Sequence, residues 1–498
     1  MALVPSPFAP GASPLPEPGR RPPDGKALRL GALLALPALV VAMLAGPLGL
    51  PGIFSWVGGF QAQTGTSLQN TATAQFQGFV FNWSATDKGG GYTSPASLQN
   101  MRSQASLFHM NAVIIPVIAD MPNRGASKLL WHAGQNADID TLPESDYEQA
   151  IKDARTAGLV PILELQVRQY DQSSNGDTSA DLVGKIWANT RSEDFFGSPT
   201  LNGTVNQLEK GWMDNYAAFA SEYARLSAKY NLPYFIIGDG LSDATTDSPV
   251  TTAKADPSAI DRGVPGESFP TCSGRRDCEW RHVIHAIRSP IYAAYNKHAE
   301  QQGGGYSGKV IYAASWRGSP EGATSPEFEN ITWWDAVDLI GVDAYFPLSQ
   351  NSADLSVAQL QANWQGQGVC GSKDPTICPG NIVQRLSAVS VKYGRSLVFT
   401  SAGYGSTPGA NSGPPIPLSA NLQNHDQPEQ LADMQALLET FNGQSWWAGV
   451  FWNGDAPLTP RSQQPDWATS PNWAGDTLAT SKLAGQWLAT YYKPNPLN

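Results

Sequence analysis

The chain has no excess of basic residues, which excludes a broad electrostatic surface for nucleic acid. Among its 498 residues, 32 Lys and Arg stand against 43 Asp and Glu, and the net charge is −11. A domain that binds the phosphate backbone carries clustered Lys and Arg instead. Hydrophobic residues make up 41% of the chain, which is too apolar for a disordered protein. We therefore expect a folded protein with no nucleic-acid partner.

Cysteine is scarce, and the four residues fall into two close pairs. Cys272 and Cys278 form one pair, and Cys370 and Cys378 form the other, each in a loop rich in Gly, Pro and Ser. A zinc site requires shorter Cys spacing, and no His lies close by, so no metal is expected. The spacing predicts two local disulfides, which fit an oxidising compartment.

Charge is also missing from residues 30–54, "LGALLALPALVVAMLAGPLGLPGIF", a run long enough to span a bilayer. Four basic residues lie within ten positions before it, and none follows until Lys88. This asymmetry predicts a Pro-rich cytoplasmic tail over 1–29, a single-pass anchor in the cell membrane, a linker over 55–75, and an extracytoplasmic domain over 76–498. A cleaved signal peptide, and hence a secreted protein, is the alternative, although no clear A-x-A site follows the run.

From residue 76 onward, apolar segments rich in β-branched residues alternate with helical patterns. Strands this apolar on both faces are typical of a parallel sheet covered by helices. Eight such units predict a (β/α)8 TIM barrel. A doubly wound sheet is the alternative, but no Gly-rich phosphate loop follows the first strand, and no cofactor is expected. The strands are predicted at 78–82, 112–117, 159–165, 233–238, 309–315, 338–345, 396–401 and 448–453, and helices at 146–158, 212–231, 281–302, 430–441 and 480–492.

Several of these segments resemble one enzyme family. "GWMDNYAAFASEYARLSAKYNLPYFIIGDGL" resembles the helix and fourth strand of glycoside hydrolase family 113, and "GYSGKVIYAASW" with "ITWWDAVDLIGVDAYFPLS" resembles its fifth and sixth strands. "LVFTSAGYGSTPGANSGPP", "DQPEQLADMQAL" and "WWAGVFWN" resemble the seventh and eighth. The resemblance covers most of residues 76–455. It implies a β-mannanase-type barrel, retaining hydrolysis by two glutamates, and a β-linked polysaccharide or oligosaccharide, mannan included, as the partner.

Other residues occupy the two positions where the resemblance implies glutamate. The acid/base position at the end of strand four is Gly240, in "IIGDGL", and the nucleophile position at the end of strand seven is Ser401, in "FTSAGY". Retaining hydrolysis requires two carboxyl groups roughly 5–5.5 Å apart. Glycine has no side chain, and serine is a weak nucleophile without a base. His425 follows in the same loop, where a structural or solvated role is more typical.

Other carboxylates are candidates to replace these groups. Asp239 is a possible catalytic acid, a sugar ligand or a loop cap, whereas Asp243 and Asp247 are typical of solvated turn residues. Glu164, inside the apolar strand "ILELQV", is costly to bury unless paired, so we expect an ion pair with Arg168 in preference to catalysis.

Asp343 and Tyr345 share one strand face, and both are candidate substrate-binding residues. By resemblance, Tyr345 lies where the clan uses a tyrosine that hydrogen-bonds the nucleophile. Beside a serine it would keep only a binding or packing role.

Tryptophan is abundant, with 16 residues, and its flat faces suit both sugar stacking and core packing. By resemblance, Trp452 forms the aromatic floor beneath the reactive sugar. Trp316 is a second candidate sugar contact, and Trp83, Trp333 and Trp334 lie at strand ends or in nearby loops, with packing as their default role.

Three hypotheses for function follow. The first is a carbohydrate-binding or scaffold pseudoenzyme on a membrane anchor. The second is an active glycosidase with relocated carboxylates. The third is a structural or interaction module whose cleft no longer binds sugar. An open groove lined by Trp452 and Tyr345 would favour the first, and two acids about 5–10 Å apart facing that groove would favour the second.

Overall fold

The architecture is that of a computed structural model of the full chain. It describes residues 75–81, 91–121, 129–132, 141–169, 212–245, 276–293, 300–317, 326–350, 355–368, 379–412, 426–453 and 482–497. All of these residues belong to the unit that spans residues 67–498.

Eight parallel strands close into a barrel, which confirms the predicted (β/α)8 fold. The strands follow one another around the barrel in chain order, and the last pairs with the first, Phe76 facing Gly449. They are β1 (Phe76–Val80), β2 (Ala112–Met121), β3 (Val160–Gln169), β4 (Tyr234–Asp239), β7 (Lys309–Ser315), β8 (Leu339–Asp343), β9 (Leu397–Ala402) and β10 (Trp447–Asn453). The numbers β5 and β6 belong to a small hairpin outside the barrel, Ile291–Ala293 with Glu300–Gln302.

The strands differ in length, so the rim of the barrel is uneven. β2 and β3 pair in register over ten residues, from Ala112 facing Val160 to Met121 facing Gln169. The last residue of β2 that pairs with β1 is Ile114, and β2 then continues to Met121. A bridge between Asp120 and Leu130 adds a further backbone pair to this extension.

Capping residues set the ends of several helices. Ser356 and Gln359 form a capping box, and the Asp426 carboxylate accepts the Glu429 N–H with Pro428 in the first turn. Gly394 ends its helix in the left-handed region, where glycine is favoured. The helices are α1 (Pro95–Phe108), α2 (Glu144–Thr156), α3 (Trp212–Lys229), α4 (Ser242–Thr245), α5 (Arg276–Arg288), α6 (Glu327–Asn330), α7 (Val357–Trp364), α8 (Ile382–Tyr393), α9 (Gln427–Phe441) and α10 (Leu483–Tyr491), with 3-10 turns at Gly91–Thr93 and Trp334–Ala336.

The predicted helix over residues 281–302 is confirmed as far as Arg288 and is wrong beyond it. Helix α5 stops at Arg288, and the chain continues into the β5–β6 hairpin. Pro290 explains the break, since proline lacks an N–H and disfavours helical geometry in the residue before it.

The core has two layers. One fills the barrel interior with side chains such as Phe76, Ile114, Ile236 and Phe451. The other lies between strands and helices and holds most of the large aromatic residues. Among the described residues, six tryptophans are completely buried, and most of them pack in this second layer: Trp212, Trp280, Trp333, Trp334, Trp364 and Trp452. Packing therefore accounts for a large share of the high tryptophan content.

The predictions for the N-terminus fall outside the described residues, since residues 1–74 are not among them. In the described part of the chain, no helix combines the length and the apolar character that a membrane span requires. Cys278 lies buried in the first turn of α5 and is disulfide-bonded. Cys272, Cys370 and Cys378 lie outside the described residues, so the two pairings stay predictions.

Candidate functional site

The candidate site lies at the carboxyl ends of the barrel strands, where a (β/α)8 barrel presents its functional groups. Because all eight strands are parallel, the last residues of different strands meet at one mouth. The mouth receives Gln166 from β3, Asp239 from β4, Asp343 from β8 and Ser401 from β9. Each of these side chains is partly exposed. Sequence reasoning placed three of the four here and missed Gln166.

Three carboxyl groups cluster at this mouth. Gln166 Nε2 donates to Glu164 Oε2 at 2.9 Å and to Asp239 Oδ2 at 3.0 Å. Since both oxygens bind one nitrogen, they lie within about 6 Å of each other. Asp239 is in turn hydrogen-bonded to Asp343, whose Oδ1 accepts the Thr400 hydroxyl at 3.0 Å. The cluster therefore joins three strands of the barrel through their side chains.

The clustered carboxyls hold their protons more tightly than free ones. Burial, followed by the charge of Asp239, raises the pKa of Glu164 well above its usual range. The same two causes raise the pKa of Asp343 well above its usual range. Burial also raises the pKa of Asp239, against the opposing hydrogen bonds from Asp343 and Gln166. The three carboxyls therefore do not all ionise readily, because each is buried close to the others.

The sequence predicted an ion pair between Glu164 and Arg168, but strand geometry places these two residues far apart. Four residues along a strand separate the two Cα atoms by about 13 Å. The Glu164 carboxyl is buried and receives Gln166 instead. The Arg168 side chain lies outside the described residues. Sequence spacing missed this cluster because it comes from separate strands.

A second polar group at the mouth centres on Tyr345. Its hydroxyl is hydrogen-bonded to the Ser401 hydroxyl, and Asn453 Nδ2 donates to it at 2.6 Å. Burial raises the pKa of the Tyr345 phenol, so it stays protonated at neutral pH. The three residues come from β9, the end of β10 and the segment after β8. Sequence reasoning brought Tyr345 and Ser401 together and did not single out Asn453.

Gly240 occupies a backbone position that favours glycine. Its φ is 58°, in the left-handed region, and its N–H donates to the Ala313 carbonyl at 2.9 Å. The next N–H, from Leu241, donates to the Tyr312 hydroxyl at 2.8 Å. Thus the chain turns sharply after Asp239 and is fixed to β7 on both sides of the turn.

A buried carboxylate behind this turn was missed from the sequence. Glu327 Oε1 accepts hydroxyl protons from Tyr312 at 2.7 Å and Thr245 at 2.5 Å, and Oε2 accepts the Ser315 N–H at 2.7 Å. Burial raises the pKa of Glu327 to about 7. It ties α4, the end of β7 and α6 together beneath the mouth. Its sequence context, "SPEFEN", resembles an ordinary helix start and carries no catalytic signal.

The predicted aromatic contacts are mostly buried. Trp452 is fully buried, and its indole N–H donates to the Tyr492 hydroxyl at 3.0 Å. Trp316 is 6% exposed, with the Arg317 guanidinium 4.8 Å from its ring. Trp333 and Trp334 have no exposed surface. Among these four, Trp316 alone retains exposed surface.

The remaining candidates lie apart from this group or outside the described residues. Trp83, Asp247 and His425 are in the latter class, and nothing is described of the Asp243 side chain. Within the described ranges, no set of three His, Cys, Asp or Glu side chains is arranged to hold a metal ion.

Comparison with known proteins agrees with the architecture. Residues 271–466 match the model of Glycoside Hydrolase Family 113, a segment that includes Ser401 and begins after Gly240. No curated protein sequence matches the chain. The fold is similar to that of three solved family 113 mannanase structures.

A family 113 β-1,4-mannanase is 18% identical with a TM-score of 0.54, covering 84% of this chain and 99% of that one. A complex structure of a family 113 β-1,4-mannanase is 18% identical with a TM-score of 0.53, covering 84% and 98%. The family 113 β-mannanase from Alicyclobacillus acidocaldarius is 16% identical with a TM-score of 0.52, covering 84% and 96%. At these identities the likeness shows the fold alone. Over residues 271–466 the chain is similar to Glycoside Hydrolase Family 113, on a barrel whose fold resembles those of these mannanases.

Proposed function

We propose that this protein is a membrane-anchored, extracytoplasmic barrel that binds a β-linked glycan, mannan included, at its C-terminal mouth without cleaving it by the retaining mechanism. The anchor rests on the uncharged run over residues 30–54. The glycan class rests on the family match and on the mannanases that share the fold.

The observation that carries the proposal is the side chain at the end of β9. By resemblance, that position holds the nucleophile, with a tyrosine hydrogen-bonded to it. Here Tyr345 is hydrogen-bonded to the Ser401 hydroxyl. Among the described residues, no base is hydrogen-bonded to the Ser401 hydroxyl, and a serine without such a base is a poor nucleophile. At the end of β4, the acid/base position is Gly240, which has no proton to give.

The chemistry that remains at the mouth suits binding. Asn453 and Gln166 offer amides, and Asp239 and Asp343 offer carboxyl oxygens that accept sugar hydroxyls. Asp239 and Asp343 are directly hydrogen-bonded, which is closer than either spacing that glycoside cleavage requires, roughly 5–5.5 Å or 6.5–9.5 Å. This pair is therefore better placed to bind and orient a sugar than to cleave a glycosidic bond.

The test is hydrolysis and binding by the purified full-length protein. We expect β-mannan oligosaccharides to bind and no product to form. Turnover above about 1 s⁻¹, an ordinary enzyme rate, would contradict the proposal. The double variant Gly240→Glu with Ser401→Glu restores both carboxyls and is expected to gain trace hydrolysis, whereas each single variant gains none.

A second function, hydrolysis by relocated carboxylates, is favoured by one observation. Glu164 and Asp239 have oxygens within about 6 Å of each other, near the retaining spacing. Against it, the Glu164 side chain is only 3% exposed, so a sugar has little access to it. If wild type is active, Glu164→Gln and Asp239→Asn should each abolish turnover, and Ser401→Ala should not.

The third hypothesis, a structural or interaction module, predicts no glycan binding at the mouth. Asp239→Asn with Tyr345→Phe tests it, because both residues face the site and loss of oligosaccharide binding in that variant would exclude the hypothesis. We further propose that Cys272–Cys278 and Cys370–Cys378 are disulfides that clip two loops of the mouth. Mass spectrometry of the unreduced protein should recover both linked peptide pairs.

A further inference from the structure

A second cavity lies on the outer helical layer of the barrel. It has a volume of about 580 Å³, within the range of small-molecule sites. It is formed where α7 ends, α8 begins and α9 ends, and none of the mouth residues lines it. Trp446 lines it immediately before β10, whereas Asn453 ends the same strand at the mouth, about 20 Å away along the strand.

The lining is unusually rich in side-chain amides. Five of its nine residues carry one, and a serine, a threonine, a valine and a tryptophan complete it. Each amide offers both donors and an acceptor. The five amide residues are Gln365, Gln367, Asn381, Gln384 and Gln444.

Several of these amide groups are available to a ligand. Among the described hydrogen bonds, the Gln384 side chain makes none, and Asn381 uses only its Oδ1, which accepts the Gln384 N–H at 2.9 Å. Gln367 Nε2 donates to Gln365 Oε1 at 3.3 Å, which leaves the Gln367 oxygen open. Gln365, Gln367 and Gln384 are exposed, so unpaired donors and acceptors face the cavity opening.

Among the described residues, no charged side chain lines the cavity. Arg385, adjacent to Gln384, is held by Glu329 through two hydrogen bonds of 2.6 and 2.8 Å. A phosphate or nucleic-acid ligand would require Lys or Arg in the lining, and a cationic ligand would require a carboxylate. A mainly apolar ligand would leave the amides without partners. The cavity therefore matches a neutral ligand rich in hydroxyl groups.

Trp446 supplies the remaining element of such a site. Its indole is partly exposed at the cavity and makes a T-shaped contact with Phe441, with the ring centroids 6.0 Å apart and the ring planes at 86°. An indole offers a flat apolar face to a sugar ring, and side-chain amides beside it can hydrogen-bond vicinal hydroxyls. We infer that this cavity is a second carbohydrate site, which takes a neutral oligosaccharide and lies apart from the mouth.

The inference is independent of binding at the mouth, and the experiment reports on the two places separately. Full-length protein labelled with 5-fluorotryptophan gives a 19F resonance for each indole, and Trp446→Phe identifies the one at the cavity. The probes are mannohexaose and cellohexaose, with oligogalacturonate as an anionic control and a proline-rich peptide as a second control.

We expect at least one neutral hexaose to shift the Trp446 resonance in a saturable manner. Gln367→Ala with Gln384→Ala, two exposed positions, should weaken that binding about tenfold through the loss of two hydrogen bonds. Gln486→Ala, an exposed amide on α10 away from the cavity, is the matched control and should bind as wild type does. Asp239→Asn should leave the Trp446 titration unchanged, even if binding at the mouth is lost.

Three results would overturn the inference. One is a Trp446 resonance that neither hexaose moves at about 10 mM, a concentration that reports even weak sites. Another is a shift that the double variant retains at full affinity. The last is a response to oligogalacturonate or to the peptide that exceeds the response to both hexaoses, which would identify a different ligand class.

Discussion

The stability of the barrel is expected to fall between pH 5 and pH 7, and Glu327 supplies a defined part of that fall. Burial raises its pKa from 4.5 to about 7 in the folded chain. A carboxyl with a raised folded pKa holds its proton more tightly in the folded state than in the unfolded state. Its stabilising contribution is therefore complete below about pH 4.5 and is lost as the pH rises toward 7.

The size of the effect follows from these two pKa values. At pH 7 the unfolded chain has lost this proton almost entirely, whereas the folded chain keeps it in about half of the molecules. The coupling of proton binding to folding then lowers the free energy of unfolding by about 2 kcal/mol between pH 5 and pH 7. For a barrel of this length, with an unfolding entropy of about 2.1 cal/mol/K per residue, Tm falls by about 2 °C.

Glu327→Gln removes the proton while it keeps the shape of the side chain. The amide oxygen can accept the Ser315 N–H, and the amide nitrogen then faces the hydroxyls of Tyr312 and Thr245. Both hydroxyl donors lose the acceptor that Oε1 provided, at a cost of about 2 kcal/mol. This cost is the same at both pH values. The comparison between pH 5 and pH 7 therefore isolates the titration of Glu327.

The assay is thermal unfolding followed by tryptophan fluorescence at one scan rate. The drop in Tm from pH 5 to pH 7 should be about 2 °C larger in wild type than in Glu327→Gln. Glu439→Gln, an exposed carboxyl on α9, controls for the substitution and should behave as wild type does. An identical drop in wild type and Glu327→Gln would refute the assignment of this proton to Glu327.

Three further predictions concern the mouth. Gly240→Ala forces a Cβ into the left-handed region at φ 58° and should destabilise the barrel by about 1–2 kcal/mol, measured by chemical denaturation; an unchanged midpoint would contradict the strain argument. Tyr345→Phe removes the partner of Ser401 and the acceptor of Asn453, so the free energy of unfolding should fall by about 1–3 kcal/mol in the same assay; an unchanged value would contradict the role given to these contacts. Ser401→Glu alone should release no product from mannohexaose in a chromatographic assay, because no acid/base group faces it at Gly240; hydrolysis by this single variant would show that another acid serves.

The fold was predictable because each strand carries a local signal. Segments such as "AVIIPV" and "LVFTS" are apolar on both faces and bounded by polar turns, so their number and order could be read without any knowledge of contacts. The prediction failed where a proline interrupted a local helix pattern. Between residues 281 and 302 the apolar spacing favoured a helix, but Pro290 ended it and a hairpin formed.

The candidate site was predictable only in part. Residues at strand ends, Asp239 and Ser401 among them, could be placed at the mouth from the barrel topology alone. The Glu164–Gln166–Asp239 contacts could not, because they depend on the register between β3 and β4. Glu327 was out of reach for the same reason: its hydroxyl partners come from α4 and β7, far away in sequence.

The uneven rim has a consequence for how a long polymer would lie. β2 continues for three residues beyond Ile118, which faces Gln166 of the mouth, and so adds a ridge about 10 Å tall on that side. A linear chain bound at the carboxyl cluster would meet this ridge on one side. We expect such a chain to run alongside the ridge, on a lengthwise track past the cluster. The direction of approach is thus set by backbone that has no part in recognising any individual sugar unit.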